Sequence, residues 1–123
     1  MAERHAPHTR FIQCRLPADL YEWMRLRGFL LRKSMNSIVL AAVGEYREAI
    51  ESGQAAPSAD QRGTSGDTVK YNVRVDDDLY EWLRTTAFYA RLSINTLVAT
   101  SLVRYHAAHE HENEDERAGS VAV

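Results

Sequence analysis

The pentapeptide Asp-Leu-Tyr-Glu-Trp occurs twice in this chain, at residues 19–23 and again at 78–82. Laying residues 9–50 over 68–109 at the constant offset of 59 gives 15 identities in 42 positions without a gap. Matched residues include Arg15/Arg74, Arg25/Arg84, Phe29/Phe88, Arg32/Arg91, Ser34/Ser93, Asn36/Asn95 and Tyr46/Tyr105. One supersecondary unit has been written twice. A unit of about forty residues is too small to bury its apolar face alone, so the two copies are expected to share one core.

Each copy carries the same order of local signals. Residues 10–16 alternate, with Ile12, Cys14 and Leu16 on one face and Phe11, Gln13 and Arg15 on the other. In the second copy Val69, Tyr71, Val73 and Val75 oppose Thr68, Lys70, Asn72 and Arg74. Period-two alternation reads as a half-buried strand. A lone strand leaves its backbone groups unpaired, so each strand's natural partner is the other copy's. The expected result is a two-stranded antiparallel ribbon.

Helix signals follow at once. Pro17 and Asp76 stop the strands, and Asp19-x-x-Glu22 and Asp78-x-x-Glu81 have capping-box spacing. A first helix then runs to about Arg32 and Arg91, with Leu20, Trp23, Met24 and Leu31, and Leu79, Trp82, Leu83 and Ala90, as its inner stripe. Gly28 and Ala87 are small where close helix approach is expected. Ser34 and Ser93 read as N-caps of a second helix reaching about Glu51 and Glu110. Ile38, Ala42, Val43 and Tyr46, with Leu97, Ser101, Leu102 and Tyr105, face inward along it.

The expected organisation is therefore repeat one at 9–51, a flexible linker at 52–67, repeat two at 68–110 and an acidic disordered tail at 111–123. The linker is rich in Gly, Ser, Ala and Pro, and its 16 residues span roughly 20–25 Å, enough to bring the second strand back beside the first.

Charge is segregated along the chain. The formal net charge of −2 conceals +3 over 1–50 and +1 over 69–109, against −2 in 51–67 and −4 in 110–123. The repeated units are mildly basic, so a near-neutral whole does not exclude a polyanionic partner. No apolar run approaches the roughly 20 residues of a membrane span, and residues 1–8 hold no signal-type segment. With a single cysteine, Cys14, a cytoplasmic location is expected. No nucleophile–base pair, phosphate loop or metal-protease spacing stands out, so neither enzyme activity nor a cofactor or metal is expected.

A strand with a basic outward face, a helix and a Ser-capped helix resemble the ribbon-helix-helix (MetJ/Arc) superfamily of DNA-binding proteins. The likeness lies in RFIQCRLPADLYEW and VKYNVRVDDDLYEW, then in KSMNS and LSINT, and covers about two-thirds of the chain. It implies a mainly α fold with a two-stranded antiparallel β-ribbon, here a tandem ribbon-helix-helix folding as an intrachain pseudo-dimer. It also implies a sequence-specific transcriptional regulator, most simply a repressor, that lays its ribbon in the major groove of double-stranded DNA and is nucleoid-associated when bound.

Positions matching the family's base readers are Phe11, Gln13 and Arg15, and Lys70, Asn72 and Arg74. Arginine can grip guanine, and Gln or Asn adenine, in bidentate fashion. Phe11 stands where a polar reader is usual; contact with a thymine methyl and folding down onto the protein both stay open. Lys33, Ser34, Asn36 and Ser37, with Ser93, Asn95 and Thr96, match the phosphate-contacting helix start. The resemblance also admits a conjugative relaxosome accessory protein or an antitoxin, self-association on DNA, and a protein partner for the acidic tail. A tail that masks the basic ribbon is a further reading.

Blander readings stand beside these. Trp23, Trp82, Tyr46 and Tyr105 read as packing residues, Cys14 as a small apolar core residue, and His106, His109 and His111 as a solvated helix end.

Overall fold

The computed structural model describes residues 9–59 and 66–121, with side chains to residue 114. The segments 1–8 and 60–65 and the last two residues of the expected tail lie outside the described residues. Two strands and four helices follow one another as β1 (Thr9–Pro17), α1 (Ala18–Leu31), α2 (Met35–Glu51), β2 (Thr68–Asp76), α3 (Asp77–Ala90) and α4 (Ile94–Val121). Every element of the second set begins 59 residues after its counterpart, as the repeat requires. The chain is mainly helical with one two-stranded antiparallel sheet.

Register follows from the alternation. Thr9 pairs with Asp76 and Pro17 with Thr68, and the central pair is Gln13 with Asn72, which are repeat equivalents. Exchanging the two repeats therefore maps the ladder onto itself. A slip of one residue would turn Ile12, Cys14, Leu16, Val73 and Val75 out of the core, so one-sided burial pins this register.

Beneath the ribbon the apolar stripes of all four helices meet. The strand residues join Leu20, Met24, Leu83 and Ala87 from the first helices, and Ile38, Val39, Val43, Tyr46, Leu97, Val98, Leu102 and Tyr105 from the second, in one cluster. Both repeats contribute to it, and α2 packs on α4 at its centre. Cys14 is fully buried, and loss of hydration pushes its thiol up to about 12, so it is held as an inert, neutral core residue.

Helix ends are written locally. The Ser34 hydroxyl accepts from the Ser37 N–H at 3.0 Å and the Ser93 hydroxyl from the Thr96 N–H at 2.9 Å, so both serines cap as expected. The first helices end in left-handed residues, Arg32 (φ 58°) and Arg91 (φ 61°), whose N–H groups satisfy last-turn carbonyls. The capping boxes at Asp19 and Asp78 do not form. Pro17 occupies the cap of α1 without a side-chain bond, and Asp76 caps α3 through the Leu79 N–H at 2.8 Å. Asp19 instead bonds the adjacent Leu20 N–H, and Asp78 faces Arg47. Gly28 is small where α2 approaches, as expected: a Cβ there would lie 3.7 Å from Ile38 on α2, and only 2.8 Å from the Lys33 carbonyl oxygen in the α1–α2 connection.

Two boundary expectations are corrected. The second helix of repeat two does not stop near Glu110; α4 continues to Val121, so residues 111–121 are helical and not a disordered tail. Glu, Ala and Arg favour helix, and the extension is anchored by Arg27 on α1, far from it in sequence. The described part of the linker is fastened as well. The Tyr46 hydroxyl accepts from the Ser58 N–H at 3.1 Å, Thr100 donates to the Ser58 carbonyl at 3.0 Å, and the Asp67 carbonyl accepts from the Ala18 N–H at 3.0 Å.

Candidate nucleic-acid interface

The outward face of the ribbon carries Phe11, Gln13 and Arg15 from β1 and Lys70, Asn72 and Arg74 from β2, all six exposed. Across the ladder Phe11 stands opposite Arg74, Gln13 opposite Asn72, and Arg15 opposite Lys70. The structure thus brings all six together on one face. Phe11 does not fold down onto the protein; it is 65% exposed.

Charge placement on this face is unusual for a merely solvated sheet. Like charges directly opposite one another destabilise a ladder, yet Arg15 faces Lys70. Arg15 bonds the Thr68 hydroxyl at 3.3 Å, and among the described residues no carboxylate comes within ion-pair distance of Arg15, Lys70 or Arg74. Arg10, at the end of the strand, is by contrast neutralised by Asp77 at 3.1 Å and lies over the Tyr80 ring. Positive charge is left uncompensated on the outward face and compensated at its end.

The starts of α2 and α4 flank this face. Each serine cap uses the third helical N–H, and the Ser34 and Ser93 hydroxyls donate to Ser37 and Thr96 at 3.0 and 2.8 Å. The N–H groups of the first two helical residues, Met35 and Asn36, and Ile94 and Asn95, are those a helix start leaves without an intrahelical acceptor. Lys33 is exposed beside the first of these turns, where the second has the apolar Leu92.

The Asn36 side chain takes a role of its own. Its side-chain amide donates to the Arg74 carbonyl at 3.0 Å and accepts from the Arg74 N–H at 2.8 Å. Both outward backbone groups of Arg74 are thereby satisfied, which closes the sheet edge at that point. The Asn36 side chain is a clasp between α2 and β2, so only its backbone N–H remains for an anion. Asn95 is exposed, and among the described residues it forms no matching clasp on β1.

A polar cluster that the sequence did not reveal joins α1, α2 and α4. Arg27 is buried on α1, and donates to the Tyr105 hydroxyl at 3.0 Å, to Asn113 at 3.2 Å and to Glu112 at 2.8 Å. His109 pairs with Glu112 at 3.0 Å and with Glu45 at 3.0 Å, joining α4 to α2. His109 is therefore no part of a solvated helix end, and His106 packs edge-on against Trp23, 4.7 Å between centroids. Burial lowers the His109 pKa, but hydrogen bonds to Glu112 and Glu45 outweigh it and the net shift is upward. Hydrogen bonds from His109 and Arg27 hold the Glu112 carboxyl below its ordinary value. One signal could have revealed the cluster: Arg27 lies three and four residues after Met24 and Trp23, on the apolar stripe.

These commitments leave Glu112 engaged with Arg27 and His109, not free to mask the ribbon. Among the described residues no group of three His, Cys, Asp or Glu could hold a metal ion, and no helix is long and apolar enough to cross a membrane. No protein-family model, curated protein or solved structure matches this chain.

Proposed function

We propose that this chain is a sequence-specific, double-stranded DNA-binding regulator of tandem ribbon-helix-helix form, its two repeats folded together as an intrachain pseudo-dimer. The observation that carries this reading is the ribbon's outward face. Six exposed side chains stand there in matched register, with Arg15 and Lys70 directly opposed and no carboxylate of the described chain to neutralise them. A two-stranded ribbon is narrow enough for a major groove roughly 12 Å wide. The self-matching register about Gln13 and Asn72 supports the pseudo-dimer, and the flanking helix starts offer N–H groups to phosphates on either side.

Specificity would follow from Arg15 and Arg74 on guanine and from Gln13 and Asn72 on adenine. Because Phe-x-Gln-x-Arg and Lys-x-Asn-x-Arg differ, a single chain reads a subsite that departs from a perfect palindrome. Selection of bound sequences from a random duplex pool tests the reading. An enriched motif with non-identical halves supports it. Enrichment of nothing above background, at salt low enough to retain non-specific binding, would refute it.

A further inference from the structure

The two places where a first helix faces the other repeat's second helix are equivalent in sequence but not in content: α1 packs directly on α4, whereas α3 reaches α2 through side chains. Between α3 and α2 the groove is filled. The Arg47 guanidinium lies over the Trp82 ring, 5.2 Å from its centroid, with Nη1 3.5 Å from Asp78 Oδ2 and Nε 3.3 Å from Glu51 Oε2. An aromatic face and two carboxylates hold one guanidinium supplied by the chain itself.

Shifting by 59 residues carries Trp82 to Trp23, Asp78 to Asp19, Glu51 to Glu110 and Arg47 to His106. The tryptophan and both acids recur between α1 and α4, and only the guanidinium is missing. His106, a shorter side chain, packs edge-on against Trp23 and does not fill the space. A cavity of about 400 Å³ remains, lined by Asp19, Leu20, Trp23, Val103, His106 and Glu110 among others, with no lysine or arginine in its wall. The carboxylates are lightly engaged. Asp19 Oδ1 accepts the Leu20 N–H, and Glu110 lies 3.9 Å from the exposed His111.

We propose that the α1–α4 groove binds the guanidinium group of a small alkylguanidine. Asp19 and Glu110 supply charged acceptors and Trp23 an aromatic face for the cation, as Asp78, Glu51 and Trp82 do for Arg47. Leu20 and Val103 pack the alkyl stem. Val103 and Ala107 stand where the filled groove has Gly44 and Glu48, so the open groove is the more apolar of the two. A cavity of this volume lies within the size range of small-ligand pockets. The same chemistry could be presented by an arginine side chain of a protein partner, and the test separates the two sources. The proposal is independent of the DNA reading, since binding is measured without DNA.

The test is isothermal titration calorimetry on the full chain with agmatine, with a capped Gly-Arg-Gly peptide, and with its norleucine analogue as the uncharged control. The expected result is saturable binding of agmatine at one site per chain and none of the norleucine peptide. Weak binding of the arginine peptide beside agmatine points to a free small ligand; tighter binding of the peptide overturns that source in favour of a partner's arginine. Glu110→Gln should weaken agmatine at least tenfold. His106→Arg should abolish its binding, because the variant's own guanidinium occupies the groove as Arg47 does. Arg47→His should open the equivalent groove and raise the stoichiometry to two. Thermal melts establish that each variant is folded, and if Arg47→His is not, His106→Arg decides alone. Absence of saturable binding by both agmatine and the arginine peptide would overturn the proposal. So would wild-type affinity in His106→Arg, or a stoichiometry of one in folded Arg47→His.

Discussion

Replacing Arg27 by methionine removes the charge at the centre of the α1–α4 cluster while keeping much of the side chain's length. Its partners differ in what they lose. The Tyr105 hydroxyl and the Asn113 carbonyl oxygen are buried, so each is left without the guanidinium that now satisfies it. Asn113 is already short of one bond, since its Nδ2 is buried with no partner. An orphaned buried polar group costs about 1–3 kcal/mol. Glu112 is half-exposed and keeps His109, so it rehydrates at little cost. Methionine also no longer requires a buried charge, which offsets part of the loss. The expected destabilisation is about 2–4 kcal/mol, a large share of the 5–15 kcal/mol typical of a small domain. Urea unfolding followed by tryptophan fluorescence measures it, with Arg25→Met as control because Arg25 forms only an exposed pair with Glu22. Hydrogen exchange adds a local readout, since amides of residues 112–121 should lose protection first. A loss below about 1 kcal/mol, or one equal to that of the control, would refute the view that Arg27 holds the end of α4.

Other consequences are open to direct measurement. His109 is raised from 6.5 by its bonds to Glu112 and Glu45, against burial, so its contribution is complete below that value and lost as pH rises through its higher folded value. Glu112 is lowered from 4.5, so its contribution is complete above that value and lost as pH falls through its lower folded value; thermal melts should therefore be highest between the two, and His109→Gln should remove the decline on the alkaline side. Arg15→Ala and Arg74→Ala should each cost about 1–3 kcal/mol on the selected DNA site and blur one base position, whereas Ser34→Ala or Ser93→Ala should weaken all sequences alike; fluorescence anisotropy against single-base variants separates the two patterns. Asn36→Ala should destabilise the fold by about 1 kcal/mol by removing two exposed hydrogen bonds to the Arg74 backbone, which water then meets, while Asn95→Ala, which breaks no clasp, should fall within about 0.5 kcal/mol of wild type in the same urea titration.

Much of the candidate interface was legible because it is written in short-range pattern. Alternation placed Phe11, Gln13, Arg15, Lys70, Asn72 and Arg74 on one exposed face, and the serine caps fell where a side-chain oxygen precedes each helical stripe. The Asn36 clasp was not legible because an asparagine side chain suits either an anion site or a backbone clasp, and only the approach of α2 to the edge of β2 engages it. The acidic composition of 110–116 suggested solvation, and a charged helix looks the same in sequence until its buried partner is found.

By itself, then, the sequence determined a duplicated strand–helix–helix unit, the inward face of each element and the need for a shared core. These depend on spacings of two to four residues and on one offset of 59. The tertiary structure decided that Arg27 reaches Glu112 and Asn113 across 85 and 86 residues, that α4 outruns α2, and that one of two equivalent grooves is filled while the other stands open. Such contacts are set by how packed helices approach in space, and no local period encodes that.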